Sequence, residues 1–296
     1  MRALVLKGMH LALTVYGDIR LRSFGDIDLF VDRPDIPAAH DILIDAGYRL
    51  KEPSILPPTR EMARFLRCTQ DKDYVLTHPD GTVVELHWDL MRPSLGTIMT
   101  FDEAWDSREA VDYDSASIPG LGRPHLFVYL AVHGTKHRWS RLEWLVSFAA
   151  LAARLTESDW RDVLRIAQHR RVLPIIALSL HLANSLGVYN GDAGELPLVD
   201  VPQPLVDEVL DVIHAEKLEL DALRNSAFYV KALFDPNQQA LCRWRRAVMP
   251  SHKDLAALPP PLRRWPFYYL IRPLRLAAEH WSTKTRTTDE DECLET

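Results

Sequence analysis

The sequence predicts an α+β chain, a mixed sheet with helices followed by an all-helical region. Three observations predict it. β-like and helical runs alternate within the first 47 residues. A hairpin signal sits around Asp80-Gly81. From Pro124 onwards apolar residues recur at three and four spacing.

Taken in order, Arg2 to Leu6 is a short apolar run that suits a buried strand, and Lys7-Gly8 breaks it. Met9 to Tyr16 has helical spacing and stops at Gly17-Asp18. Ile19 to Gly25 is a basic loop. In Phe24 to Val31, Asp26 and Asp28 alternate with apolar residues, the period-two pattern of a strand. Pro37 to Ala46 reads as a helix with proline near its start and Gly47 as its stop. Tyr48 to Lys51 suits a strand, and the proline-rich Glu52 to Thr59 a loop. Tyr74 to Thr77 and Thr82 to Trp88 form a hairpin around His78-Pro79-Asp80-Gly81, where proline fixes φ and Asp-Gly tolerates the reversal. A mixed stretch with a short helix near Phe101 to Trp105 runs to about Gly122.

Helices are then expected over His125 to Arg138, Leu142 to Leu155, Asp159 to His169 with Ser158 as N-cap, and Leu173 to Leu186 ending at Gly187. Further helices are expected over Pro204 to Glu219, Ala222 to Leu233 and Gln238 to Val248. An aromatic and basic helix from Trp265 to Trp281 follows the Pro259 to Pro261 spacer and is strained by Pro273. The expected divisions are a sheet domain over 1–122, a helical domain over 123–281 and a polar, frayed tail over 282–296.

Bulk properties narrow the function. A net charge of −6 over 296 residues argues against a uniformly basic nucleic-acid binder. Cys68, Cys242 and Cys293 are far apart and odd in number, so they read as reduced thiols of a cytoplasmic protein. The N-terminal apolar run is too short for a signal peptide, and no stretch approaches a membrane span.

The chemistry concentrates in the first 90 residues. Asp26 and Asp28 point to one side of a strand, where two carboxylates repel unless a cation sits between them. A hard divalent cation is the simplest occupant; a solvated strand edge is the alternative for an isolated D-x-D. Glu85, with His87 on the same face of the hairpin, completes three acids if the hairpin lies beside the aspartate strand. Such a cluster can hold two magnesium ions for in-line displacement at phosphorus. Gly8, between strand and helix, permits close approach of a phosphate to a helix N-terminus, and Lys7 adds positive charge. Arg20, Arg22 and Ser23 can cradle phosphate oxygens.

The order Leu6-Lys7-Gly8, Arg22-Ser23-Phe24-Gly25-Asp26-Ile27-Asp28, Val84-Glu85-Leu86-His87-Trp88 resembles the nucleotidyltransferase superfamily built on the DNA polymerase β-type palm. More narrowly it is similar to a bacterial family of uncharacterised nucleotidyltransferases, often encoded beside peptide-natural-product or exopolysaccharide genes. His133-Gly134-Thr135-Lys136-His137-Arg138-Trp139-Ser140-Arg141-Leu142 and Tyr269 to Leu276 also resemble that family, so the likeness spans roughly residues 2 to 280. It implies a palm followed by helices, and metal-dependent transfer of a nucleoside monophosphate from ATP or another NTP with release of pyrophosphate. It implies Asp26, Asp28 and Glu85 as ligands of Mg²⁺ or Mn²⁺. Lys7, Gly8, Arg22, Ser23 and Lys136 would meet the nucleotide.

Departures from the family pattern are visible. Met9 stands where the phosphate-binding Gly-Ser pair has its serine, and Ser147 where an acid is expected after Leu145-Val146. Relatives carry a helical segment ahead of the first strand, so a late start or a trimmed fold is expected. The acceptor implied is a small molecule or peptide; a toxin-like transferase acting on tRNA or protein, and a non-catalytic scaffold, are the alternatives.

Other features carry two readings each. His133 and His137 are four apart on a helix, but an HExxH zinc site needs glutamate where Gly134 stands. Lys136 suits either a triphosphate or solvent. Trp139 and Trp144 suit core packing better than a base-stacking shelf. Three basic clusters, around Arg165, around Arg243, Arg245 and Arg246, and around Arg263 to Arg275, fit RNA or an anionic membrane, or solvated helix faces.

Overall fold

The computed structural model describes residues 1–52, 69–191, 199–215, 222–259, 269 and 271–276. Seven strands form one mixed sheet: β1 (Ala3–Val5), β2 (Ile27–Val31), β3 (Arg49–Glu52), β4 (Asp73–Thr77), β5 (Val83–His87), β6 (Glu109–Tyr113) and β7 (Ala116–Gly120). Their order is β3-β4-β5-β2-β1-β7-β6. β2 runs antiparallel to β1 and parallel to β5, so the aspartate strand lies at the centre with the hairpin directly beside it.

The helices of the first half are α1 (Lys7–Thr14), α2 (Ile36–Asp45) and α3 (Phe101–Asp106). Past the sheet come α4 (Arg123–Lys136), α5 (Leu142–Ala152), α6 (Glu157–Arg170) and α7 (Leu173–Ser185). They are followed by α8 (Gln203–His214), α9 (Ala222–Lys231), α10 (Pro236–Val248) and α11 (His252–Ala256).

Period-two alternation sorts the sheet's side chains onto two faces. Leu4 and Phe30 join one continuous core with the helices from α4 onwards. Val31, Tyr74, Leu76 and Leu86 form a second core with Ile36 and Ala39 of α2, closed by Leu255, Leu258 and Ile271 from the end of the chain. The described part of the closing helix therefore covers the sheet.

α4 is the axis of the helical region. Every residue from Leu126 to Val132 is buried, so its apolar pattern wraps the whole helix. It ends in a device written into the sequence. Arg138 and Trp139 both take positive φ (53° and 49°), and the Trp139 amide donates to the Gly134 carbonyl at 2.8 Å. The indole then lies where a side chain on Gly134 would begin, 2.5 Å from an ideal Cβ position, which explains the glycine.

Local details adjust the expectations. The hairpin turn is as expected: Gly81 has φ +94°, and the Thr82 amide donates to Asp80 Oδ1 at 2.8 Å. Gly47, at φ +93°, stops α2. The cap of α6 is Thr156, in a reciprocal box with Asp159, rather than Ser158. The β6–β7 hairpin was not expected. Strand β2 starts at Ile27, three residues after the expected start. The loop expected over 53–59 and the halves of the last helix over 265–268 and 277–281 lie outside the described residues. Among the described residues, no helix is long and apolar enough to cross a membrane.

Candidate active site

The central strands set the site. In the parallel register Asp28 of β2 pairs with Glu85 of β5, and Phe30 with His87. In the antiparallel register of β4 with β5, Asp73 pairs with His87. Asp28, Glu85, His87 and Asp73 therefore share one face. One further backbone bond, from the Leu6 amide to the Asp28 carbonyl at 3.1 Å, holds the start of α1 beside them.

Lys7 Nζ reaches Asp28 Oδ1 at 2.8 Å, and His87 Nε2 reaches the same oxygen at 2.9 Å. His87 Nε2 is also 3.2 Å from Glu85 Oε2, and its Nδ1 is 3.6 Å from Asp73 Oδ2. Lys72 pairs with Asp73. The side chain of Asp28 is 1% exposed and that of Glu85 26%, so the acids run from a buried floor to an open wall.

Electrostatics follow this layering. Burial would raise the Asp28 carboxyl, but Lys7 and the His87 hydrogen bond hold it well below the usual carboxylate range. Burial would lower Lys7, but Tyr129, Asp28 and Asp26 raise it. Asp73 is likewise pushed against its burial, chiefly by Lys72, down to about 2. The His87 hydrogen bond lowers Glu85, whereas burial and the Asp28 charge raise Asp26. For His87, burial and Lys72 are outweighed by Asp28, Glu85 and Asp73, and its pKa rises.

Lys7, Lys72, Asp73, Glu85 and His87 line a cavity of about 420 Å³, with Asp28 buried behind them, within the range of small-molecule sites, about 300–1,000 Å³. Lys7, Gly8, Arg22, Ser23, Asp26, Glu85 and Lys136 all line it. Gly8 breaks the helical path at the start of α1, and an added Cβ would stand 3.3 Å from the Asp26 carbonyl oxygen. Arg22 donates to the Gly8 carbonyl at 3.4 Å and to Ser147 Oγ at 3.3 Å. Ser147 also bonds the Tyr16 hydroxyl at 2.9 Å. The serine at the expected acid position thus keeps a helix contact through its hydroxyl. Burial and Lys72 push Lys136 down to about 7. Trp139 is core, whereas Trp144 lines the cavity with its ring 5.1 Å from His133 and 5.5 Å from His137.

Whether this chain's residues suit a divalent cation is answered by the donor set. Asp28, Glu85 and His87 each offer a ligand atom, all within 4.8 Å of one another. Asp28 Oδ2 is buried without a hydrogen-bond partner. Two carboxylates and an imidazole with an unsatisfied inner oxygen fit such an ion. Among the described residues this is the close set; Asp26 lines the cavity outside it.

A family model described as "Uncharacterised nucleotidyltransferase" matches residues 1–187, from β1 through α7. The chain belongs to this nucleotidyltransferase family. No curated protein matches it significantly. In this nucleotidyltransferase the mixed sheet is the palm, and helices follow it.

Lys72, Asp73, Glu143 and Arg141 also line the cavity; of these the sequence marks only Arg141, inside the family signature, and gives it no role. The first two were findable. Counting back from the Asp80-Gly81 turn pairs Val75 with Glu85 and Asp73 with His87. Arg141 and Glu143 follow the unusual turn at Trp139, which helical periodicity does not announce.

Proposed function

We propose that this chain is a metal-dependent nucleotidyltransferase moving a nucleoside monophosphate from an NTP to an acceptor hydroxyl or phosphate, with pyrophosphate released. The acceptor is a small molecule or a peptide, with tRNA or protein as the alternative. The observation that carries the reading is the in-register pair Asp28 and Glu85 on adjacent strands: Glu85 lines a cavity walled by Lys7, Lys72, Lys136 and Arg141, with Asp28 buried behind it. Acids below and cations around are the charge arrangement that a metal-bound triphosphate requires.

Asp28, Glu85 and His87 would hold the ion, with Asp26 close by, and Mg²⁺ or Mn²⁺ suits the donors. When bound, the ion supplies charge neutralisation on the triphosphate and on the attacking and leaving oxygens. The rest falls to side chains. Lys136 and Lys72 take the triphosphate oxygens, and Gly8 lets the backbone approach them. Arg22 braces Gly8 from behind through its carbonyl. The acceptor oxygen bonds to the α-phosphorus as the bridge to the β-phosphate breaks; the hydroxyl proton passes to a carboxylate or to solvent.

A second reading has an observation in its favour. The Lys7 ammonium already neutralises one oxygen of Asp28, as in a scaffold that binds nucleotide without transfer. Pyrophosphate release across a panel of NTPs and acceptors, alongside calorimetric NTP binding, separates the two. Binding with no release under any condition selects the scaffold.

A further inference from the structure

A second cavity, of about 450 Å³, lies among α10, the start of α11 and residues 272–276. Its walls carry Arg92, Arg243, Arg246, Lys253, Arg272 and Arg275. A chain of net charge −6 here gathers six permanent cations around one hollow. The acid on the wall, Asp71, is engaged by His252 at 2.7 Å.

The cavity has a rigid back and open cations in front. Asp254, fully buried, binds Arg272 at 2.8 Å and Arg275 at 2.6 Å. Arg272 also donates to the Arg246 carbonyl at 2.6 Å, which ties α10 to the closing helix. In front, Arg92 and Lys253 have no ion pair among the described residues, and Arg243 bonds only the neutral Gln239, at 3.1 Å. Unneutralised cations above a braced arginine pair match a phosphate group, whose oxygens accept from several donors at once.

Neighbouring residues of the chain line the two cavities. Asp71 lines the second and Lys72 the first; Leu90 lines the first and Arg92 the second. The Arg92 charge is felt by Lys136 and His137 inside the first. An acceptor anchored in the second hollow would extend towards the acids along these neighbouring residues.

We infer that the second cavity binds a phosphate group of the acceptor, so that the acceptor is a phosphorylated molecule. The assignment to an acceptor rests on the transfer reading above; the binding itself does not. Two sources share this chemistry, a sugar phosphate and the end of a nucleic-acid strand. The strand would in addition reach Trp244, which is 62% exposed on α10.

The test uses the full chain with Arg243 and Lys253 reversed together (Arg243→Glu, Lys253→Glu). Both side chains are exposed, so the fold is kept, and circular dichroism verifies it. The probes are a labelled single-stranded oligoribonucleotide and a hexose phosphate, with a labelled NTP as control for the first cavity. At least one probe binds the native chain at low salt. The double variant loses that binding by roughly tenfold or more, and for the strand its salt slope falls by about two. NTP binding is unchanged. Strand binding alone identifies the nucleic-acid source, and hexose phosphate binding alone the small molecule. Neither probe binding the native chain, equal binding by variant and native chain, or parallel loss of NTP binding each overturns the proposal. Probe binding that survives while no NTP yields pyrophosphate would instead defeat the transfer reading and leave this site standing.

Discussion

Replacing Lys7 with methionine removes the ammonium that neutralises the most buried acid of the site. The Lys7–Asp28 contact is 2.8 Å, with side chains 14% and 1% exposed, so solvent screens it little. Breaking a buried pair by removing one partner costs about 3–5 kcal/mol, because the other charge is left behind. His87 still donates to Asp28 at 2.9 Å, and methionine refills the apolar stem, so the low end applies. With an unfolding entropy of about 2.1 cal/mol/K per residue, a loss of about 3 kcal/mol lowers Tm by roughly 5 °C for this chain length. The assay is thermal unfolding in EDTA, then with added Mg²⁺ or Mn²⁺. The variant gains more from the divalent ion than the native chain, since the cation replaces the lost ammonium beside Asp28. A Tm within about 1 °C of native in EDTA, with no larger gain from metal, would refute the reasoning.

Other outcomes follow from single contacts. In the ligand-free site Lys136 is pushed down to about 7, so above that pH it is largely neutral. A triphosphate supplies the countercharge and raises it, so NTP binding at pH 8 takes up protons; calorimetry in buffers of different ionisation enthalpy reads this, and Lys136→Met abolishes it. At the acid end the sign reverses. Asp73 is held at about 2, below its unfolded value, so its contribution is full above pH of about 4 and is lost as pH falls towards 2. Asp73→Asn therefore flattens the acid limb of a stability-against-pH curve. Gly134→Ala drives a methyl into the Trp139 indole and costs about 1–3 kcal/mol or more in denaturant unfolding, while Gly25→Ala, with open space around it and no positive φ, gives no comparable loss.

The central strand, its hairpin neighbour and the helices past Pro124 were legible because each buries an apolar set at its own period. β2 and β5 alternate, and the Asp-Gly turn fixes the register of β5 against β4. The β6–β7 hairpin escaped because it lies at the sheet edge and buries little beyond Val111 and Gly120, so no alternation marks it. Thr156 was overlooked as a cap because the apolar spacing begins after Ser158, whereas the reciprocal bond comes from Asp159. In the site, the acids were legible as types at a spacing. The place of His87 was not, because a hairpin histidine looks the same in sequence whether it faces water or, as here, three carboxylates. The Arg22–Ser147 contact joins residues 125 apart, which no local pattern reveals.

The most direct measurement is pyrophosphate release from each common NTP, with Mg²⁺ or Mn²⁺ and a panel of phosphorylated and unphosphorylated acceptors, by the native chain and by Asp28→Ala. The native chain should release pyrophosphate in a metal-dependent manner, and the variant should lose at least about 100-fold of that rate, the scale of removing one transition-state stabiliser. Equal turnover by the two proteins would contradict the assignment of Asp28 to the reaction centre.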